Sequence, residues 1–167
     1  MFVPFEKINN TSRVWIYQAN RPFNLEEVDI ISRSLSAFTE DWLVHGSPMQ
    51  ASFAIKYNQI VILAADEDAN AASGCSIDSS VRTLRNLGAE LKIDFFDRTL
   101  VAFKKGEQIF TIPVSDLKSK LSEGTWDSDT LMFNNVVDSK EGLTQKWLIP
   151  AGASWLKRYL PRQTVAG

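Results

Sequence analysis

The sequence has one cysteine, one histidine and no Gly-Lys pair in 167 residues. A lone cysteine forbids an internal disulfide, which excludes the small disulfide-stapled secreted class and suits a reducing compartment. One Cys and one His cannot complete a structural zinc site, and without Gly-Lys there is no Walker A loop. Also missing is any run of about 18 apolar residues that would span a bilayer. Met1 to Lys7 has no basic stretch followed by an apolar one, so no targeting signal is expected. With a formal net charge of -2 there is no overall field to gather nucleic acid or anionic lipid, although local patches are compatible with it. The expectation is a cytoplasmic protein without cofactor or metal, and without nucleic acid or membrane among its partners.

The composition, 44% apolar and 23% charged, is that of an ordinary globular chain. Its length suits a single domain over residues 1–167 with a core of its own. No internal repeat or linker-like tract divides it. Ser12 to Ala19 is rich in β-branched and aromatic residues and reads as a strand closed by Pro22. Asn24 with Glu27 forms a capping box, and Val28, Ile31, Leu35, Phe38 and Trp42 recur at helical spacing, so a helix is predicted from there to about Leu43. His45-Gly46-Ser47-Pro48 breaks it. Ser52 to Tyr57 and Ile60 to Ala65 read as a hairpin turning at Asn58-Gln59, the second strand apolar on both faces and therefore central.

A solvated acidic loop, Asp66 to Asn70, leads to a second helix from about Ser76, with Ile77, Val81, Leu84, Leu87 and Leu91 as its buried stripe and Gly88 as a candidate early end. Leu100 to Phe103 and Gln108 to Ile112 flank Lys104-Lys105-Gly106-Glu107 and read as another hairpin. Short helices are expected from Ser115 to before Gly124, from Ser139 through Gln145 and after Ser154, with a strand at Thr130 to Phe133 and a frayed tail from Pro161. The order strand, helix, strand, strand, helix, strand matches the split βαβ, ferredoxin-like plan. The predicted fold is thus α+β, an antiparallel sheet with helices on one face, plus an extra strand and C-terminal helices.

That connectivity would bring His45, Asp66, Glu67, Asp68, Cys75 and Ser76 to one rim of the sheet, with Arg13 and Lys104. Cys75 in the first turn of a helix meets the positive end of the backbone dipole, which makes it a candidate nucleophile or redox thiol. His45 is the candidate base, Asp66 or Asp78 would orient it, and the Cys75 and Ser76 amides would serve as oxyanion donors. Free cysteines are more commonly buried core residues, and His45 then merely follows a helix. The same segment can instead bind an anion: Gly74 permits close approach, Ser73, Ser76 and Ser79 offer hydroxyls, and Arg13 and Lys104 supply charge. Against this stands plain N-capping by the serines. The five tryptophans read mostly as core by pattern, whereas Trp126 or Trp155 exposed on a shared apolar patch would mark a partner surface.

At Arg13 to Gln18, Ser52-Phe53 with Tyr57-Asn58, Ser73 to Val81, Phe133-Asn134-Asn135 and Ser154-Trp155 the chain resembles a family of small uncharacterised bacterial proteins often labelled ABC transporter ATPase. That label implies ATP binding and hydrolysis. The sequence departs from it in lacking both a Walker A lysine and a Leu-Ser-Gly-Gly-Gln signature, its nearest string being Leu121-Ser122-Glu123-Gly124. The leading expectation is a binding or regulatory module that uses the rim around Cys75, with a small anion or a protein as partner and a homodimer as a possible state. The alternative is a cysteine-dependent hydrolase, acyl-transfer or redox enzyme.

Overall fold

The computed structural model describes residues 1–68 and 71–162. Ala69 and Asn70 of the acidic loop, and the tail from Gln163, lie outside the described residues. The fold is α+β with antiparallel sheets, and the chain divides into two compact units: Met1–Asp97 with Asn135–Gln145, and Arg98–Asn134 with Lys146–Gly167.

The first unit begins with β1 (Arg13–Gln18) and α1 (Leu25–Asp41). A two-strand hairpin follows, β2 (Leu43–Val44) and β3 (Ser47–Pro48), then β4 (Ala51–Lys56), β5 (Ile60–Ala65) and α2 (Gly74–Leu91). The sheet order is β1-β5-β4, all antiparallel. β5 is central, as its apolar run predicts, and every one of its residues is buried. Trp15, Tyr17, Phe53, Ile55, Val61 and Leu63 pack on the face covered by both helices, with Ile31 and Leu35 from α1 and Leu84 and Leu87 from α2.

Because β5 lies between β1 and β4, the unit contains the first three strands and both helices of the split βαβ plan. The fourth strand of that plan is not in this sheet. β6 (Leu100–Lys105) belongs to the second unit, where β7 (Gln108–Pro113) and β8 (Leu131–Phe133) pair with its two edges. A strand so flanked has no edge left to offer β1. The free edge of β1 instead meets residues 135–145: Arg13 bridges Ser139, and the Val14 amide donates to the Asp138 carbonyl at 2.9 Å.

The second unit is a four-stranded sheet, β7-β6-β8-β9, with α3 (Leu117–Ser122) and with β9 (Leu148–Pro150) at its edge, whereas α4 (Lys140–Lys146) falls in the first unit up to Gln145. Two 3-10 turns, Ala151–Ala153 and Trp155–Tyr159, end the described chain. Phe103, Ile112, Leu117, Trp126, Met132 and Leu156 form its core. Ser139 and Ser154 cap the segments after them as predicted, although the last is a 3-10 turn and not an α-helix.

Three local expectations change. The β4–β5 turn is centred one residue earlier, with Tyr57 and Asn58 both at positive φ, so Tyr57 leaves the strand face. His45 and Gly46, also both at positive φ, make a two-residue hairpin turn between β2 and β3 and not a simple break. α2 starts at Gly74 and runs past Gly88 to a left-handed cap at Lys92, and its first two turns bury Ser76 and Ser80 while Ile77 and Val81 are only half-buried. Gly88 is retained for space, since a Cβ there would collide with the Ile93 carbonyl oxygen.

Glu27 is the charged group that fixes α1. Its carboxylate accepts from the Asn24 amide and is gripped by both terminal nitrogens of Arg21, at 2.9 and 2.7 Å, while the Asn24 side chain caps the Glu27 amide. The Arg21 bonds, then the Asn24 amide, hold the Glu27 carboxyl down at about 2 against an ordinary 4.5. A carboxyl depressed on folding contributes stability above its ordinary value, and that contribution is lost as pH falls from about 4.5 through about 2. Glu27→Gln is therefore expected to cost about 1–2 kcal/mol at neutral pH, the partly exposed guanidinium keeping the figure modest. Urea unfolding of the variant should lose most of the parent's steepness between pH 4.5 and 2. Gly88→Ala is expected to destabilise by about 1–3 kcal/mol, reversing the usual gain of alanine over glycine inside a helix; a higher melting temperature would contradict the predicted clash.

Candidate functional site

Where α1 ends, β2 follows and α2 begins, the first unit has an open groove of about 970 Å³. Its position follows from the sequence. Trp42, the last residue of the apolar stripe of α1, is buried at the C-cap, where its indole Nε1 donates to the Ser76 carbonyl at 2.9 Å. Trp15 and Phe38 pack on its rings at 5.6 and 4.9 Å. This indole pins the start of α2 to the end of α1, and Trp42 and Ser76 both line the groove.

Of the eight predicted rim residues, His45, Cys75 and Ser76 meet here. His45, Ser73, Gly74, Cys75, Ser76 and Ser79 all line the groove, together with Phe38, Trp42, Leu43, Arg82, Thr83 and Asn86. Sequence reasoning did not find the last four. Leu43 carries no motif signal, but Arg82, Thr83 and Asn86 follow Ser79 at helical spacing and a helical wheel extended along α2 would have found them.

Cys75 is exposed, so the expectation of a buried core thiol does not hold. Among the described residues no hydrogen bond joins it to His45, and no carboxylate accepts from the imidazole. Asp78 is exposed and does not line the groove. Asp66 accepts from the Asp68 amide at 3.0 Å, which closes a local turn. One expected oxyanion donor is also committed, because the Ser76 amide donates to the Ser73 hydroxyl at 3.1 Å.

The serines cap. The Ser73 amide donates to Ser76 Oγ at 2.7 Å, and Ser76 Oγ donates to the Ser73 carbonyl at 2.9 Å. Further along, Ser79 Oγ donates to the Ser76 carbonyl and Thr83 Oγ1 to the Ser79 carbonyl, each at 2.9 Å. These hydroxyls are committed to their own helix, so the thiol of Cys75 and the side chains of Arg82 and Asn86 are what α2 has free along the groove. Ser80, buried one turn on, donates to the Ile77 carbonyl and bonds Tyr17, whose phenol is pushed up by burial and drawn partly back by that hydroxyl.

The predicted cations do not converge on this groove. Arg13 lies over the Trp15 ring at 4.7 Å and 3.9 Å from Glu67, whose other carboxylate oxygen accepts from the Ala72 amide. Glu67 thus brings negative charge beside the start of α2, which disfavours a small anion there. Lys104 is on β6 of the second unit, paired with Ile109 and Leu131, so it shares no sheet with the groove. Among the described residues no three His, Cys, Asp or Glu side chains gather as metal ligands, and no helix is long and apolar enough to cross a membrane.

No family model, curated protein or solved structure matches the chain. The site is therefore argued from its own chemistry. The buried Trp42 and half-buried Phe38 give the lining an aromatic part and the exposed Asp41, Leu43, His45, Arg82 and Asn86 a mixed one, so the groove can hold an apolar group and hydrogen-bond what surrounds it. Trp42→Phe keeps most of the packing but leaves the Ser76 carbonyl without its indole donor. It is expected to cost about 1–2 kcal/mol by urea unfolding and to raise amide exchange in the first two turns of α2 ahead of the rest of the helix. Uniform exchange along α2 would mean the indole does not anchor its start.

Proposed function

We propose that the protein is a binding or regulatory module that takes an apolar group of its ligand or protein partner into the groove between α1 and α2. The observation that carries this reading is that the Ser73, Ser76, Ser79 and Thr83 hydroxyls are committed to their own helix, with the Trp42 and Phe38 rings and an exposed, unpaired thiol also in the lining. Such an aromatic lining rewards burial of an apolar surface at about 25 cal/mol per Å². The polar groups beside it would supply orientation. The rival, a cysteine-dependent hydrolase or redox enzyme, draws on the exposure of Cys75 but has no hydrogen bond from His45 to activate the thiol. ATP hydrolysis, which the family label implies, would need a phosphate cradle that the sequence lacks.

The position of Cys75 provides the test. Equilibrating the protein with a library of disulfide-bearing fragments under mild reductant lets the groove select those whose second contacts stabilise the mixed disulfide. Fragments with an aromatic or branched apolar group should be retained at Cys75 over polar ones, and Leu43→Asp should abolish the preference. Equal retention across the library would overturn the binding reading. A pH profile for Cys75 alkylation that moves in His45→Ala would favour the enzyme instead.

A further inference from the structure

The second unit carries a basic aromatic surface that the groove does not involve. By sequence the first unit has nine basic and fifteen acidic residues, the second nine basic and five acidic. The near-neutral chain is thus an acidic unit joined to a basic one. From Lys146 to Arg162 there are four basic residues and no acidic one.

The 3-10 turn Trp155–Tyr159 sorts these groups by its three-residue period. Leu156 is fully buried in the core, and Tyr159 packs edge-on against Trp126 at 6.5 Å. Trp155 and Arg158, also three apart, take the outer side, with the guanidinium 5.4 Å from the indole centroid. Trp155 is 44% exposed, whereas Trp126 is 1% exposed, so of the two tryptophans that could mark a partner surface it is Trp155 that does. Lys157, Arg158 and Arg162 are exposed, and among the described residues none has an ion pair. By contrast Arg13, Arg21 and Arg33 of the first unit each face a carboxylate.

We infer that the Trp155–Arg158 turn is a docking surface for an acidic protein segment, one that places carboxylates against Lys157, Arg158 and Arg162 and an apolar side chain on Trp155. An exposed indole flanked by guanidinium and phenol groups has the composition of an interface hot spot. Single-stranded nucleic acid fits less well: strand binders stack successive bases on several aromatics, and here one large ring is open. An anionic bilayer fits less well too, because one tryptophan on a five-residue turn gives little apolar area to insert.

The probe is a fluorescein-labelled synthetic peptide of repeated Glu-Glu-Leu triplets, followed by anisotropy against the full chain at low salt. Saturable binding is expected, weakened at least about tenfold by Trp155→Ala and by Arg158→Glu and reduced as ionic strength rises. Lys105→Glu, the same charge change at an exposed site on the β6–β7 turn, should leave it nearly unchanged. The inference is overturned if the parent shows no saturable binding, or if Lys105→Glu weakens it as much as Arg158→Glu. It is equally overturned if oligothymidylate or phosphatidylserine vesicles bind more tightly than the peptide at the same salt.

Discussion

The helix pair of the first unit depends on the Arg21 guanidinium. Besides gripping Glu27 at the start of α1, Arg21 donates to the Leu91 carbonyl at 2.7 Å and reaches the Lys92 carbonyl at 3.4 Å, where α2 ends. One side chain therefore satisfies a carboxylate at one helix terminus and the unpaired carbonyls of another, and both dipole ends favour the charge they receive. The Asn20 side chain and the Asp94 amide close the same corner at 2.9 Å. At the opposite corner the Trp42 indole does the corresponding job for the end of α1 and the start of α2. The groove sits at this second pin, with Trp42 and Ser76 themselves in its lining.

Those pins explain which parts of the sequence were legible. The Asn24–Glu27 box, the stripe through Trp42 and the apolar run of β5 are dense local signals, and helix and central strand appear where they predict. The stripe of α2 misled because its first two turns lie against Trp42 and Tyr17, where small hydroxyl residues fit and Ile77 and Val81 do not. A periodicity of large apolar residues cannot register a helix that buries Ser76 and Ser80. Those serines are affordable in the core because each hydroxyl is spent on the helix's own carbonyls.

The fourth strand failed for a different reason. Leu100–Lys105 is a good strand, but nothing in a strand's own sequence names its neighbours. Its short turn at Gly106 gives β7 immediate possession of one edge, a low-entropy closure that a distant β1 cannot match. β8 takes the other, and Phe103 stacks on Phe110 and packs on Trp126 within the second core. Of the expected rim, His45, Cys75 and Ser76 still meet, because none of them depended on that fourth strand. Lys104 did depend on it, Asp66 accepts from the Asp68 amide, and Arg13 and Glu67 face each other, with Arg13 also over the Trp15 ring.

Cys75 shows why position alone does not assign chemistry. It lies in the first turn of α2, it is exposed, and the chain's one histidine lines the same groove. Nucleophilic catalysis also needs a base held in contact and donors free to meet developing charge. His45 sits at positive φ in a two-residue hairpin turn, held by backbone geometry and not by a carboxylate, while the neighbouring Ser76 amide belongs to the cap. The hydroxyls of Ser73, Ser76, Ser79 and Thr83 and the Ser76 amide are all committed to the start of α2. A segment held by that many internal bonds is a preformed surface, which reduces the ordering cost of anything that binds to it.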